Sequence, residues 1–224
     1  MDANRLKEEL RFMKKRFEDA DAIIFDLDGT LWDASQGICD TWNEVLAKKG
    51  LKRGPFSKEE LSAQFGKTMY DIADAIVPEL EKADRDALME EMCEYEVHQL
   101  YNRGGILYPD LKETLEYLSS KLPLCIVSNC QCGYIEDFLH AHDCGKYFKD
   151  FSCWGQTMAT KGETNKIVIE RNGFKNPVYV GDTAGDRQSA IDAGIPFIFA
   201  SYGFGSVEDY DGIIHTFKEL KDLF

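Results

Sequence analysis

The sequence has no apolar run of membrane-spanning length, and its N-terminal segment has no signal-type apolar core. We therefore expect a cytoplasmic protein without a membrane segment. Internal repeats and low-complexity tracts are also absent from the 224 residues. With 44% hydrophobic and 29% charged residues, the composition predicts a globular protein, either one large α/β domain or a domain with an insert.

Positive charge is scarce, because 26 lysines and arginines face 40 aspartates and glutamates, for a formal net charge of −14. A nucleic-acid backbone is itself negative, so this balance argues against general nucleic-acid binding. An acidic protein that acts on an anion needs positive charge at the site itself. A bound divalent cation and one or two lysines would supply that charge.

A regular disulfide framework is missing as well, since the seven cysteines are odd in number. We expect reduced thiols in a reducing compartment. Cysteine and histidine are also zinc ligands, and six such residues lie close together in the sequence, namely Cys130, Cys132, His140, His142, Cys144 and Cys153. Their spacing is not that of paired Cys-x-x-Cys motifs, which favours ordinary thiols over structural zinc.

The first twenty residues predict a helical extension with one apolar stripe, formed by Leu6, Leu10, Met13 and Phe17. We favour packing of this stripe on the body of the protein over a dimer seam. The expected assembly is a monomer or a homodimer.

Residues 34–104 show helical periodicity and no strand pattern. Ser57 with Glu60 three positions later resembles a capping box at the start of one of these helices. We interpret the segment as an inserted α-helical cap domain, with Gly104 and Gly105 as its return hinge.

Short apolar strands alternate with helical segments after residue 105, and an apolar strand also precedes the cap. Strands separated by helices form parallel sheets through right-handed crossovers. The expected fold class is therefore α/β, with a Rossmann-like three-layer parallel-sheet core built from residues 21–33 and 105–224.

Three of these strands, read independently, end in polar residues. The ends carry Asp26 with Asp28, Ser128 with Asn129, and Asp182. In a parallel sheet the carboxyl ends of the strands share one edge, where ligands bind. Lys161 lies between the second and third of these strands, in a predicted loop that leads into a helix. The short stretch 203–205 predicts a tight turn near the same edge.

The order Asp-x-Asp-Gly-Thr, Ser-Asn, Lys and Gly-Asp-Thr-x-Gly-Asp resembles the haloacid dehalogenase superfamily of phosphohydrolases, from Ala22 to about Gly205. The helical segment after the first motif is similar to the inserted cap of that family. The sequence around Gly66-Lys67-Thr68 is similar to the phosphoglycolate-phosphatase branch.

The resemblance implies a Mg²⁺-dependent phosphatase that acts on small organic phosphomonoesters. Asp26 would be the nucleophile that forms an aspartyl-phosphate, and Asp28 would be the general acid and then the general base. Asp26, the backbone carbonyl of Asp28, and Asp182 would hold the Mg²⁺ ion. Asp186 would hold a metal-bound water or orient Lys161.

The remaining implied roles concern the phosphoryl group. Lys161 would neutralise the charge that grows on its oxygens, and Ser128 would donate a hydrogen bond to one of them. Thr30 would fix the turn or bond Asp28. Asn129 would bind the phosphate or hold its own loop.

Two alternatives stay open. A sugar phosphomutase has the same core, and it would differ in the cap, where contacts with the organic part of the substrate are expected from Trp42, Arg53, Lys67, Thr68 and Tyr70. The other alternative is a binding module that kept the fold and lost catalysis. Such a module usually lacks the nucleophile, whereas Asp26 is present.

Overall fold

The computed structural model describes residues 11–51, 53 and 55–224. Its main sheet has six strands in the order β5-β4-β1-β6-β7-β8, and every neighbouring pair is parallel. The strands are β1 (Ala22–Phe25), β4 (Leu124–Ser128), β5 (Asp150–Cys153), β6 (Pro177–Gly181), β7 (Phe197–Ala200) and β8 (Gly212–Ile214). The α/β fold with a parallel sheet is thus confirmed.

Strand β1 explains the three layers of the core. All four of its residues are buried, and their side chains alternate between two apolar clusters on opposite faces of the sheet. Helices α6 (Leu111–Ser119), α7 (Tyr134–Ala141) and α11 (Leu220–Leu223) contribute to the cluster on one face, and α9 (Lys161–Asn172) and α10 (Ala184–Ala193) to the cluster on the other. A strand buried on both faces shows the continuous apolar run that the sequence displays.

The helical insert lies between β1 and β4. It contains α2 (Ser35–Lys49), α3 (Lys58–Ser62), α4 (Met69–Ile76) and α5 (Lys82–Arg103). Helix α2 ends at Gly50, whose φ of 63° is left-handed, and α3 begins with the expected reciprocal bonds between Ser57 and Glu60.

A two-stranded antiparallel ribbon joins the insert to the core. Its strands are β2 (Trp32–Asp33) and β3 (Ile106–Leu107), with Trp32 opposite Leu107. The sequence analysis predicted a hinge at Gly104 and Gly105 and neither of these two strands, so the ribbon was not anticipated. Two residues per strand are too few to show a period-two pattern.

The described part of the N-terminal segment, α1 (residues 11–16), is helical and leads to Phe17, which is buried and has its ring centroid 6.1 Å from that of Phe224. Met13 also packs on the core. Leu6 and Leu10 lie outside the described residues. Within the described ranges, no helix has both the length and the apolarity to cross a bilayer.

Candidate active site

The three polar strand ends meet at the centre of the sheet. Asp26 follows β1, Ser128 is the last residue of β4, and Asp182 follows β6, which places them at the ends of three adjacent strands. The Asp26 N–H still donates to the Val180 carbonyl at 2.8 Å, so Asp26 continues the pairing of β1 with β6. The shared edge expected from the sequence is present.

Lys161 is the first residue of α9 rather than a loop residue, and it is 6% exposed. Its Nζ lies 2.6 Å from Asp26 Oδ1 and 2.5 Å from Asp186 Oδ1. Burial lowers the pKa of this ammonium, but the charges of Asp186 and Asp26 outweigh that effect and raise it. The side chain is therefore a fixed cation in the site and not a solvated surface charge.

Three carboxylates form a compact acidic cluster beside this lysine. One oxygen each from Asp26, Asp182 and Asp186 lies within 4.8 Å of the others, and all three residues are buried. Burial raises the pKa of Asp26, and the charge of Asp186 raises it further. Burial also raises the pKa of Asp182 to about 7, again with a contribution from Asp186. Mutual repulsion of buried carboxylates, with hard oxygen donors facing one another, fits a divalent cation such as Mg²⁺.

Hydrogen bonds hold the members of the cluster in place. Asp182 accepts from Thr30 Oγ1 at 3.3 Å and from the Phe204 N–H at 2.7 Å. Asp186 is fixed by a capping box with Thr183 at the start of α10. The predicted turn at 203–205 thus contributes a backbone donor to the acidic cluster.

Gly29 makes the close approach of the first motif to Asp182 possible. Its φ is 81°, a left-handed conformation that side chains disfavour, and a Cβ at this position would overlap the Asp182 carboxylate. The first motif therefore requires glycine at this position for two reasons, its left-handed backbone conformation and the lack of room for a side chain beside Asp182.

Asp28 lies in a different environment from the acidic cluster. Its Oδ1 accepts from Trp32 Nε1 at 2.9 Å and from the Tyr134 hydroxyl at 2.7 Å. Burial raises its pKa to about 6, although these two donors oppose the rise. The acidic cluster thus consists of Asp26, Asp182 and Asp186, and Asp28 is not a member of it. Asp28 instead lines a cavity that Asp26 also lines.

That cavity lies between the core and the insert. Asp26, Asp28, Ser128 and Asn129 line it from the core. Of the five cap residues expected to contact the substrate, the two that line the cavity are Trp42 and Lys67.

The other three have different partners. Thr68 caps α4, Tyr70 packs edge-to-face on Trp154, and Arg53 lies over the ring of Phe56. None of these three residues lines the cavity. Helical periodicity in the sequence does not show which neighbours such side chains contact.

Asn129 connects the core to the insert. Its Nδ2 donates to the Gly66 carbonyl at 2.7 Å. Phe65, the preceding residue of the insert, packs edge-to-face on Phe204 of the core at a centroid distance of 5.3 Å. These two contacts hold the insert against the core beside the cavity.

Among the residues that line or support the cavity, sequence reasoning missed the polar or aromatic side chains of Trp32, Glu96, Gln131 and Tyr134. A signal for Glu96 exists in the sequence. It falls on the stripe of α5 that also contains Met89, Met92, Cys93 and Leu100, all of which are buried. A carboxyl group on an otherwise apolar helix face marks a buried acid.

The cysteine and histidine residues between 130 and 153 form no metal-ligand group within the described chain. All seven cysteines are free, and of the four in this region Cys132 is exposed while Cys130, Cys144 and Cys153 are buried.

Residues 23–200 match the model of the haloacid dehalogenase-like hydrolases, and the chain belongs to that family. The expected enzyme class, a phosphohydrolase of this family, is confirmed.

Two phosphoglycolate phosphatases are similar to this chain over most of their length. The phosphoglycolate phosphatase of Photorhabdus laumondii is 28% identical over 217 residues, covering 89% of this chain and 90% of the relative. That of Aliivibrio fischeri is 29% identical over 205 residues, with coverages of 86% and 88%. A haloacid dehalogenase-like hydrolase from Streptococcus pneumoniae shares the fold, with a TM-score of 0.76, 21% identity, and coverage of 90% of this chain and 97% of that one.

Proposed function

We propose that the protein is a Mg²⁺-dependent phosphatase that hydrolyses small organic phosphomonoesters through an aspartyl-phosphate on Asp26. The observation that carries this proposal is the ion pair between Lys161 Nζ and Asp26 Oδ1, at 2.6 Å, inside a buried group of carboxylates. A phosphoryl group bound there would meet a fixed cation and a carboxylate oxygen at one point. Similarity to phosphoglycolate phosphatases over most of the chain supports the same reaction class.

Asp26 attacks phosphorus, and the bond from phosphorus to the alcohol oxygen breaks as the aspartyl-phosphate forms. Asp28 gives its proton to the departing oxygen. A pKa of about 6 suits this role, since the group exchanges its proton near neutral pH. Asp28 then removes a proton from the water that hydrolyses the acyl phosphate. Trp32 and Tyr134 hold its carboxylate in position throughout.

Lys161 stays protonated and binds the phosphoryl oxygens, with Ser128, Thr30 and Asn129 as further polar groups of the phosphate subsite. Asp26, Asp182 and the backbone carbonyl of Asp28 would hold Mg²⁺, and Asp186 would support it. When bound, the cation would supply charge neutralisation between the carboxylates and the incoming dianion.

The proposed setting is cytoplasmic, with a small phosphorylated metabolite as the partner and a monomer or homodimer as the assembly. The cap over residues 34–104 would close on the core during turnover and exclude bulk water. The contact of Asn129 with Gly66 and the packing of Phe65 on Phe204 support a closed arrangement of this kind.

The test is phosphate release from a panel of phosphomonoesters with Mg²⁺, using the wild-type protein, Asp26→Asn, and Asp40→Asn as a matched control on the exposed face of α2. We expect Asp26→Asn to bind substrate and release no phosphate, while Asp40→Asn behaves as wild type. EDTA should abolish the activity, and added Mg²⁺ should restore it.

Normal turnover by Asp26→Asn would refute the role of the nucleophile, and activity that persists in EDTA would refute the role of the metal. Isomerised sugar phosphate in place of free phosphate would indicate the phosphomutase alternative.

A further inference from the structure

A buried carboxyl group lies in the cavity away from the acidic cluster. Glu96, on cap helix α5, is 2% exposed and lines the same cavity as Asp26 and Asp28. Nothing in the proposed reaction uses it. Burial of an ionised carboxylate without a partner costs roughly several kcal/mol of free energy. The groups around Glu96 therefore indicate what kind of ligand it binds.

In both hydrogen bonds of the Glu96 carboxyl group, Glu96 is the acceptor. Trp42 Nε1 donates to Oε2, and Gln131 Nε2 donates to Oε1 at 3.0 Å. An ionised carboxylate, the form that Glu96 takes above its pKa of about 8, can only accept such bonds. Within the described chain no lysine or arginine forms a salt bridge with Glu96, so its ionised form has hydrogen-bond donors but no cationic partner.

The charged groups around Glu96 add to this imbalance. Burial is the main cause that raises the pKa of Glu96 to about 8, and the charges of Asp28 in the first motif and Asp137 on α7 raise it further. Lys67 also lines the cavity, and its Nζ is bonded to Gln64 Oε1 at 2.7 Å. When Glu96 is ionised, the cavity lining thus presents the carboxylates of Asp28 and Glu96 together with the ammonium group of Lys67.

We propose, on the basis of the phosphatase function above, that Glu96 and Gln131 form the subsite for the organic part of the substrate. This subsite takes a phosphomonoester that carries a hydroxyl or ammonium donor and no second negative charge. The donor supplies the partner that Glu96 lacks. A carboxylate at the same place would face Glu96 and Asp28, and such like-charge contacts are unfavourable.

A matched series of two-carbon substrates tests this subsite. The series is 2-aminoethyl phosphate, 2-hydroxyethyl phosphate and phosphoglycolate, which present an ammonium, a hydroxyl and a carboxylate group. For the wild-type protein with Mg²⁺ at about pH 9, where Glu96 is ionised, we expect kcat/KM for phosphoglycolate to be at least about tenfold lower than for the better of the other two, a factor that corresponds to about 1.4 kcal/mol.

Glu96→Gln keeps the shape of the side chain and an acceptor oxygen for Trp42, but it removes the charge that Glu96 carries at about pH 9. We expect it to reduce the preference against phosphoglycolate by about tenfold, again about 1.4 kcal/mol. The control is Glu94→Gln, an exposed glutamate on the same helix, which should leave the preference unchanged. A preference for the ammonium over the hydroxyl substrate supports a cation subsite, and equal use of both supports a neutral donor subsite.

If Glu96→Gln does not fold, the wild-type pH profile provides the second measurement. The ratio of kcat/KM for 2-aminoethyl phosphate to that for phosphoglycolate should rise as Glu96 ionises near pH 8. A flat ratio, or phosphoglycolate as the best of the three substrates with phosphate still released, overturns the subsite and leaves the phosphatase function standing. Absence of phosphate release from all three and from p-nitrophenyl phosphate overturns both.

Discussion

Replacing Asp182 with asparagine should stabilise the metal-free protein at alkaline pH. The pKa of this carboxyl rises from 3.8 to about 7 on folding, because the side chain is buried beside Asp186. Asparagine has nearly the same shape, and its carbonyl oxygen retains the bond from the Phe204 N–H. The substitution therefore removes the ionisation while preserving most of the packing.

The magnitude follows from proton linkage. The folded protein binds this proton more tightly than the unfolded chain, so the contribution of Asp182 to stability is full below about pH 4 and is lost as the pH rises through about 7. Complete ionisation of the buried group costs about 4 kcal/mol, at about 1.4 kcal/mol for each pH unit. Between about pH 5 and about pH 8 the linked loss is about 2 to 3 kcal/mol.

Urea unfolding in EDTA at these two pH values measures the effect. The free energy of unfolding of Asp182→Asn, minus that of the wild type, should increase by about 2 kcal/mol from the lower to the higher pH. The matched control, Asp40→Asn, should show no such increase. Added Mg²⁺ should then stabilise the wild type at the higher pH and not Asp182→Asn. Equal pH dependence of the wild type and Asp182→Asn would refute the linkage between burial of this acid and stability.

Two further substitutions test the catalytic acid and the cap contact. Asp28→Asn should reduce the rate of phosphate release from alkyl phosphomonoesters by a factor of about 10² to 10⁴ and leave labelled phosphate on the acid-quenched protein. In the wild type, kcat/KM should fall as the pH rises through about 6, because Asp28 loses its proton, and Asp28→Asn should not show this fall. An unlabelled protein with normal rates would contradict that role. Asn129→Ala should weaken cap closure by about 1 kcal/mol through loss of the bond to Gly66, seen as faster proteolysis near Gly104, whereas the exposed Ser120→Ala control should be cleaved at the wild-type rate.

The main sheet was predictable because its central strands are continuous apolar runs that end in polar residues. Strand β1 (Ala22–Phe25) is buried on both faces, and its unbroken apolar sequence predicts this burial. Strand β8 was missed because its three residues follow a polar loop and carry little pattern. Strands β2 and β3, with two residues each, were missed for the same reason.

The candidate site was predictable as a set of residues and less so as a geometry. Motif order placed Asp26, Ser128, Lys161 and Asp182 at one edge. It did not determine that Lys161 bridges Asp26 and Asp186, because side-chain direction at a helix N-terminus depends on its capping residue. Contacts across the cap, such as that of Tyr134 with Asp28, depend on tertiary packing that has no local sequence signature.

Trp32 belongs both to the ribbon that joins the cap to the core and to the hydrogen-bond partners of Asp28. The hydrogen bond from Trp32 Nε1 lowers the pKa of Asp28. A rotation of the cap about this ribbon would therefore weaken that bond and raise the pKa of Asp28. Opening of the cap for product release and reprotonation of Asp28 would then occur together, so that each turnover would end with the acid ready to donate a proton again. The indole at the ribbon also offers an intrinsic fluorescent reporter of that coupling.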